Sequence, residues 1–206
     1  MKVIAIGSHP DDIEYGCAGT LLKHIKAGDE VHFIVMSRGS RTRSILAKDN
    51  VREKEAVESA KEIGATVHIF DYPDTEIPQN HEVIDRIEKI IKEVDPQRIY
   101  THSVKDTHQD HRNVAYATIA AARKVPEIFF YESPSLYLDF NPNYYVDISG
   151  HIEEKLKALN LFVTENGKDY MKIEAIRGLA QFRGVATFVK YAEAFQVFRI
   201  LKKENV

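Results

Sequence analysis

Two short clusters of histidine and aspartate are the residues of this sequence best equipped for chemistry. The first, His9-Pro10-Asp11-Asp12, puts one imidazole and two carboxylates on a single turn. The second, at residues 106–111, reads Asp-Thr-His-Gln-Asp-His. Zinc accepts imidazole and carboxylate ligands, and a hydrolytic zinc site needs about three protein ligands and an open position for water. Together the clusters supply enough groups for such a site, with others left to serve as base and acid.

Both clusters follow predicted strands. The apolar runs Val3–Gly7 and Val31–Ser37 predict two strands, joined by a helix over about Glu14–Lys26. The alternation continues through predicted helices at Arg43–Ile63, Glu82–Val94 and about 110–124, and through predicted strands at Val67–Tyr72, Arg98–His102, Glu127–Glu132 and Tyr144–Ile148. The remainder, from His151, is predicted to be helical.

This alternation predicts an α/β fold, with an open, mostly parallel sheet and helices on both faces. Ligands of such sheets bind beyond the carboxyl ends of the strands. If the strands that precede the two clusters are neighbours, both clusters face one cleft. The turn after the first strand lacks the G-x-G-x-x-G fingerprint, and its two carboxylates would repel a pyrophosphate, which disfavours a dinucleotide site.

Length and composition narrow the class of protein further. A chain of 206 residues predicts a single domain over residues 1–206. The 28 basic and 31 acidic residues give a net charge of −3, which offers no basic surface for nucleic acid. Without a long apolar stretch or a signal sequence, we expect a cytoplasmic location and no integral membrane contact. The single cysteine, Cys17, leaves histidine and carboxylate as metal ligands.

Each cluster alone also has a structural interpretation. The Asp11-Asp12 pair could cap a helix N-terminus, and Asp110 could do the same for the next helix. Both clusters nevertheless fall at strand ends in one small α/β chain, a coincidence that the structural interpretation does not explain. The remaining histidines show no spacing typical of a metal site: His24, His32, His68, His81, His102 and His151.

The motifs resemble a known family. Residues 9–21 are similar to the His-Pro-Asp-Asp-x-Glu-x-Gly-x-x-Gly-Thr-Leu signature of the PIG-L/LmbE-like zinc-dependent N-deacetylases. His108-x-Asp110-His111 resembles the second motif of that family, with Gln109 in place of the usual proline. The segments at residues 52–64 and 191–195 resemble two further family motifs. The resemblance covers nearly the whole chain and implies a Rossmann-like domain that removes an N-acetyl group from a GlcNAc-type amino sugar or its conjugate.

The resemblance also implies roles for individual residues. Carried over by position, His9, Asp12 and His111 would hold one Zn²⁺ per chain, with other divalent metals as alternatives. Asp11 would be the general base. A carboxylate beside a metal-activated water is suited to take a proton from it, which agrees with this role.

The second motif implies the remaining catalytic groups. His108 would be a general acid or an oxyanion stabiliser, and Asp110 would orient it. An imidazole kept charged by a carboxylate suits either role, and the sequence does not choose between them.

Substrate contacts are expected from two further residues, Arg52 and Asp74, which would bind sugar hydroxyls or a charged aglycone. The expected partner is a small N-acetylated sugar, and a homo-oligomer, trimer or hexamer, is the expected assembly. Two alternatives stay open: hydrolysis of a different amide, and a non-catalytic sugar- or nucleotide-binding module of the same fold.

Overall fold

The computed structural model describes residues 1–40 and 51–202, and within them the chain forms a seven-stranded sheet with six α-helices. The strands are β1 (Lys2–Gly7), β2 (Glu30–Ser37), β3 (Thr66–Tyr72), β4 (Arg98–Thr101), β5 (Glu127–Tyr131), β6 (Tyr144–Asp147) and β7 (Ala192–Ile200). The helices are α1 (Asp12–Lys26), α2 (Val51–Ile63), α3 (His81–Val94), α4 (Gln109–Ala121), α5 (Ile152–Leu159) and α6 (Ile173–Val185). The first part of the helix predicted at Arg43–Ile63 lies outside the described residues.

The strands are ordered β3-β2-β1-β4-β5-β7-β6 across the sheet. Strands β1 to β5 run parallel, and β7 runs antiparallel to both of its neighbours. The predicted α/β class and mostly parallel sheet are therefore confirmed. The prediction of helices throughout the chain after His151 is wrong, because β7 inserts between β5 and β6. Ala192, Glu193 and Ala194 favour a helix locally, but long-range pairing and burial override that preference.

Helices cover both faces of the sheet, as predicted. Ile4 and Ile6 of β1 pack toward α3 and α4, whereas Val3 and Ala5 pack toward α1 and α2. This alternation follows from the two-residue period of a strand that is buried on both faces. Among the described residues, every helix is too short or too polar to cross a bilayer.

Strand β1 lies at the point where the chain changes direction across the sheet. The chain passes from β1 to β2 on one side, while β4 lies on the other side of β1 and leads on to β5. Such a switch point leaves a crevice at the carboxyl ends of the two central strands. The loops after β1 and β4 border this crevice, and they carry the two predicted clusters.

Helix α1 packs closely over the sheet beside the crevice. The Tyr131 hydroxyl donates to the carbonyl oxygen of Ile6 at 2.9 Å, and the Tyr131 ring lies directly under Gly16. A Cβ atom on Gly16 would overlap this ring. Glycine thus lets the first turns of α1 approach β5, which fixes the position of the loop that precedes the helix.

Candidate metal centre and active site

Side chains from the loops after β1 and β4 meet in one cavity. The first loop brings His9, Asp11 and Asp12, and the second brings the 106–111 segment. The cavity has a volume of about 230 Å³ and is lined by His9, Asp11, Asp12, Tyr15, Arg52, Asp74, His108, His111, Pro134, Ser135, Lys168, Tyr170 and Met171. Two clusters that lie far apart in the sequence therefore share one site.

The turn before α1 is strained at Asp11. This residue has φ of 103° and ψ of −25°, a left-handed conformation that is costly for any residue other than glycine. Asp12 closes the turn, because its Oδ2 accepts the backbone N–H of His9 at 2.7 Å. In the described part of the chain, the Asp11 side chain makes no capping hydrogen bond to α1. The strain therefore presents the Asp11 carboxylate to the cavity instead of to the helix.

Asp12 lies between two histidines. One of its oxygens is 3.4 Å from Nδ1 of His9, and the other is 3.5 Å from Nε2 of His111. The side chains of these three residues are nearly buried. Two imidazole nitrogens and a carboxylate at this spacing form a donor set of the kind that zinc prefers.

A buried carboxylate stands behind each of these histidines. Nε2 of His9 is 3.0 Å from Asp110 Oδ2, and Nδ1 of His111 is 2.9 Å from Asp106 Oδ2. Each carboxylate can accept the ring N–H on the far side of its histidine, which leaves the lone pair of the other nitrogen facing Asp12. Carboxylate–histidine pairs of this kind fix the tautomer and the orientation of metal-ligating imidazoles.

The two adjacent aspartates of the first cluster have pKa values shifted in opposite directions. Burial raises the pKa of Asp11 well above its usual value, and the charge of Asp12 raises it further. Burial also opposes ionisation of Asp12, but His111 and His102 outweigh it and hold the Asp12 pKa well below its usual value. Asp12 is therefore the permanent anion of the pair, and Asp11 is the group with the greater affinity for a proton.

Arg52 connects the first cluster to the cavity wall. Its guanidinium donates to the carbonyl oxygen of Pro10 at 3.0 Å and lies 3.6 Å from the carboxylates of both Asp11 and Asp74. Asp74 is also 3.0 Å from Nε2 of His9, and this contact lowers the Asp74 pKa to about 2. Both predicted substrate-binding residues therefore line the cavity.

His108 faces the cavity with a defined tautomer. Its Nδ1 accepts the backbone N–H of Asp110 at 3.2 Å, so a proton on the neutral ring resides on Nε2. Its ring stacks on His111 at a centroid distance of 4.6 Å. Burial and the neighbouring histidines His111 and His9 lower the pKa of His108. The ring thus offers an N–H donor to the cavity.

The structure puts Asp110 behind His9, whereas the sequence predicts that its carboxylate orients His108. The reason is the position of Asp110 in the first turn of α4. From there its side chain reaches the β3–α3 loop, where it accepts the backbone N–H groups of Thr75 and Ile77 at 2.7 and 3.2 Å. The same loop lies beside His9, so the carboxylate meets that ring.

The ligand atoms of the described residues also group in other ways. His9, His108 and His111 form one compact set, Asp12, His102 and His111 form another, and a third adds Asp74 and Asp110 to His9 and His108. In the second set, Nε2 of His102 accepts the backbone N–H of Ser8 at 3.0 Å, and burial lowers the His102 pKa to about 4. Nε2 of His102 also lies 3.1 Å from Oδ2 of Asp12, so His102 connects the Ser8 backbone to the Asp12 carboxylate.

Several residues of the site were not singled out by sequence reasoning. Asp106 begins the second cluster but has no role predicted from the sequence, and His102 has no sequence spacing typical of a metal site. Lys168 and Met171 come from the segment between α5 and α6, where no motif points to the cavity. Tyr170 lies in the same segment, where the family motifs do not align clearly, and it is therefore not among the predicted site residues.

Comparisons with known proteins show the family to which the chain belongs. The family model described as PIG-L, GlcNAc-PI de-N-acetylase, matches residues 4–122. A protein of Escherichia coli K12 named uncharacterized deacetylase YaiS is 35% identical over 76% of this chain and 88% of its own length. The structure of N,N'-diacetylchitobiose deacetylase from Pyrococcus horikoshii is 28% identical, with a TM-score of 0.82 over 96% of this chain and 83% of that chain.

A protein of lower sequence identity also has this fold. GalB, the 4-carboxy-2-hydroxymuconate hydratase of Pseudomonas putida KT2440, has a TM-score of 0.85 over 100% of this chain and 99% of that chain, at 21% identity. This likeness shows the fold alone. The family model matches more than half of the chain and includes both clusters, and the relatives named as deacetylases extend the match over most of the remainder. The resemblance predicted from the sequence is thus confirmed: this chain belongs to the PIG-L family of deacetylases.

Proposed function

We propose that this chain, as a single domain, is a zinc-dependent hydrolase that removes the N-acetyl group from a GlcNAc-type amino sugar or its conjugate and releases acetate. The observation that carries the proposal is the arrangement of His9, Asp12 and His111, with a buried carboxylate behind each histidine. Asp11, the base candidate, lies next to this set on the cavity wall.

The donor set fits a zinc ion. Two nitrogens and one carboxylate oxygen are a set of protein ligands typical of hydrolytic zinc sites, in which water or substrate would supply the remaining ligand. His9, Asp12 and His111 would hold the ion, with Asp110 and Asp106 fixing the two rings. When bound, zinc would polarise the amide carbonyl and make water a better nucleophile at neutral pH.

Asp11 takes the proton of the attacking water. Its raised pKa makes it a stronger base than an ordinary aspartate. As the water oxygen bonds to the carbonyl carbon, one water proton passes to the Asp11 carboxylate. Arg52, at 3.6 Å, opposes part of this rise in the Asp11 pKa and so favours the ionised carboxylate before the reaction. A positioned base of this kind typically contributes roughly 10²–10⁴-fold in rate.

His108 acts on the carbonyl oxygen of the scissile amide. Its Nε2–H donates to the oxygen that gains negative charge, which stabilises the tetrahedral state. When the C–N bond breaks, the proton that Asp11 took from the water passes to the nitrogen, which leaves as the free amine, and the acyl group leaves as acetate. The lowered pKa of His108 keeps the ring neutral, which favours hydrogen-bond donation by Nε2–H over transfer of an imidazolium proton.

The sugar is bound by groups on the cavity wall. Arg52 and Asp74 offer a donor and an acceptor for hydroxyl groups, and the Tyr170 side chain lines the same cavity. A vicinal diol or an amide beside a hydroxyl matches such a mixed polar wall. The loop that carries Asp74 and the loop that carries Pro134 and Ser135 border the opening and would select the substituent on the sugar.

The test is acetate release from a panel of N-acetyl sugars by zinc-loaded protein. We expect at least one sugar to be deacetylated, and we expect Asp11→Asn and His111→Ala each to abolish turnover. The matched controls are Asp139→Asn and His81→Ala, at exposed positions, and these should retain full activity. Zinc-containing protein that releases no acetate from any sugar would contradict the proposal and would favour another amide or a binding module.

A further inference from the structure

A second pair of histidines lies away from the catalytic cavity. His32 of β2 and His68 of β3 come from adjacent strands at one edge of the sheet, because β3 is the outermost strand. His32 precedes the carboxyl end of β2 by five residues, which corresponds to roughly 16 Å at about 3.3 Å per residue. The pair is therefore remote from the loops that form the catalytic site.

The two rings present their nitrogens to each other. Nδ1 of His32 is 3.3 Å from Nε2 of His68, and the rings are stacked with an angle of 17° between their planes. Zinc–nitrogen bonds of about 2.0–2.1 Å at a tetrahedral angle separate two nitrogen ligands by about 3.3–3.4 Å. The observed separation thus equals one edge of a tetrahedral zinc site.

A carboxylate stands behind the first histidine. Nε2 of His32 is 2.7 Å from Oε1 of Glu30, which can accept its N–H. With the proton on Nε2, the lone pair of Nδ1 points toward His68. This is the second-shell arrangement found at metal-ligating histidines, and it is the same one that Asp110 and Asp106 provide in the catalytic site.

Charge and exposure also suit a cation. Burial and the neighbouring His32 lower the pKa of His68, which disfavours the protonated ring, while the negative charge of Glu93 acts on the same ring in the opposite sense. His32 is nearly buried, but His68 is only half-buried, and Glu30 is exposed. Solvent therefore reaches the pair from one side, where water molecules would complete the coordination.

We propose that His32 and His68 form a second metal site, which binds a divalent transition-metal ion such as Zn²⁺ through Nδ1 of His32 and Nε2 of His68, with Glu30 orienting His32. The ion replaces the hydrogen bond between the two rings, and the remaining ring N–H of His68 moves to Nδ1. It links the edge strand β3 to β2 and stabilises the strand that leads into the Asp74 loop. Sequence spacing does not reveal this pair, because 36 positions separate its members.

The test counts zinc ions per chain by competition with a chromophoric chelator, on the full-length protein first stripped of metal. We expect two ions in the wild type, one in His111→Ala, one in His68→Ala and none in the double variant. Glu30→Gln, at an exposed residue, should lower the affinity for the second ion about 10–100-fold without abolishing its binding. His81→Ala serves as the matched control and should leave the count at two.

The His111→Ala background keeps this proposal separate from the catalytic one. If the catalytic zinc were absent, the wild type would bind one ion and His68→Ala would bind none, so the edge site would still be detected. Zinc should also raise the melting temperature of His111→Ala, and His68→Ala in that background should abolish the increase. A zinc count that is unchanged by His68→Ala, in either background, would overturn the proposal.

Discussion

Asp106 offers the sharpest test of how the proposed metal ligands are held. One of its oxygens accepts the backbone N–H of His108 at 2.8 Å, and the other lies 2.9 Å from Nδ1 of His111 and accepts the hydroxyl of Ser133 at 2.6 Å. Both oxygens of this fully buried carboxylate are therefore in use. Burial opposes its ionisation, but His111 and the hydroxyl groups outweigh this effect and hold its pKa far below the usual range.

Asparagine has the shape of aspartate but only one acceptor oxygen. In Asp106→Asn, either the His108 amide or the pair formed by His111 and Ser133 loses its acceptor and faces an NH₂ group. Loss of a second-shell carboxylate typically lowers metal affinity 10–100-fold, which is about 1.4–2.8 kcal/mol at 1.4 kcal/mol per tenfold. We expect zinc affinity at the catalytic site to fall by this factor.

The assay is chelator competition on the His68→Ala background, so that only the catalytic site is measured. Circular dichroism on the same samples confirms that the variant is folded. Asp139→Asn is the control, since Asp139 is an exposed aspartate whose contact, with Lys105, lies outside the cavity. A zinc affinity for Asp106→Asn within twofold of the background value would refute the argument that Asp106 holds His111.

Three further changes have outcomes that the structure predicts. Lys155→Met should lower the free energy of unfolding by about 3–5 kcal/mol in urea titrations, because it leaves the buried Glu193 carboxylate without its cation; a loss below about 1 kcal/mol would contradict this. Gly16→Ala should lower the free energy of unfolding by about 1–3 kcal/mol in the same assay, because the added Cβ overlaps the Tyr131 ring. Gly150→Ala is the control, since a Cβ at that position meets open space. Arg52→Lys should raise KM and lower kcat in acetate release, since lysine cannot reproduce the forked contacts to two carboxylates, and wild-type kinetics would remove Arg52 from the site.

The sequence predicted the features that local patterns encode. Strand and helix alternation predicted the sheet class, and the position of His9 and His111 after strand ends predicted that their loops share an edge. The sequence did not predict that β1 and β4 are neighbours, and the strand order of the structure shows that they are. The general rule for ligand sites in open sheets supplied the rest of this prediction.

The sequence did not predict features that depend on tertiary packing. The β7 strand contains alanine and glutamate, which favour helices, and only its pairing with β5 and β6 makes it extended. The acceptor for each histidine is likewise a matter of three-dimensional packing. Asp110 is close in sequence to His108 but contacts His9, because the first turn of α4 directs its side chain toward the β3–α3 loop.

The proposed catalytic function requires that His9, Asp12 and His111 hold the metal. The most direct measurement is anomalous diffraction at the zinc edge from crystals grown with zinc. We predict a peak in the cavity at about 2.0–2.2 Å from one nitrogen of His9, one nitrogen of His111 and one oxygen of Asp12. A cavity peak coordinated by His108 in place of Asp12, or a cavity without a peak in crystals whose protein binds zinc, would contradict the assignment of these three residues as the metal ligands.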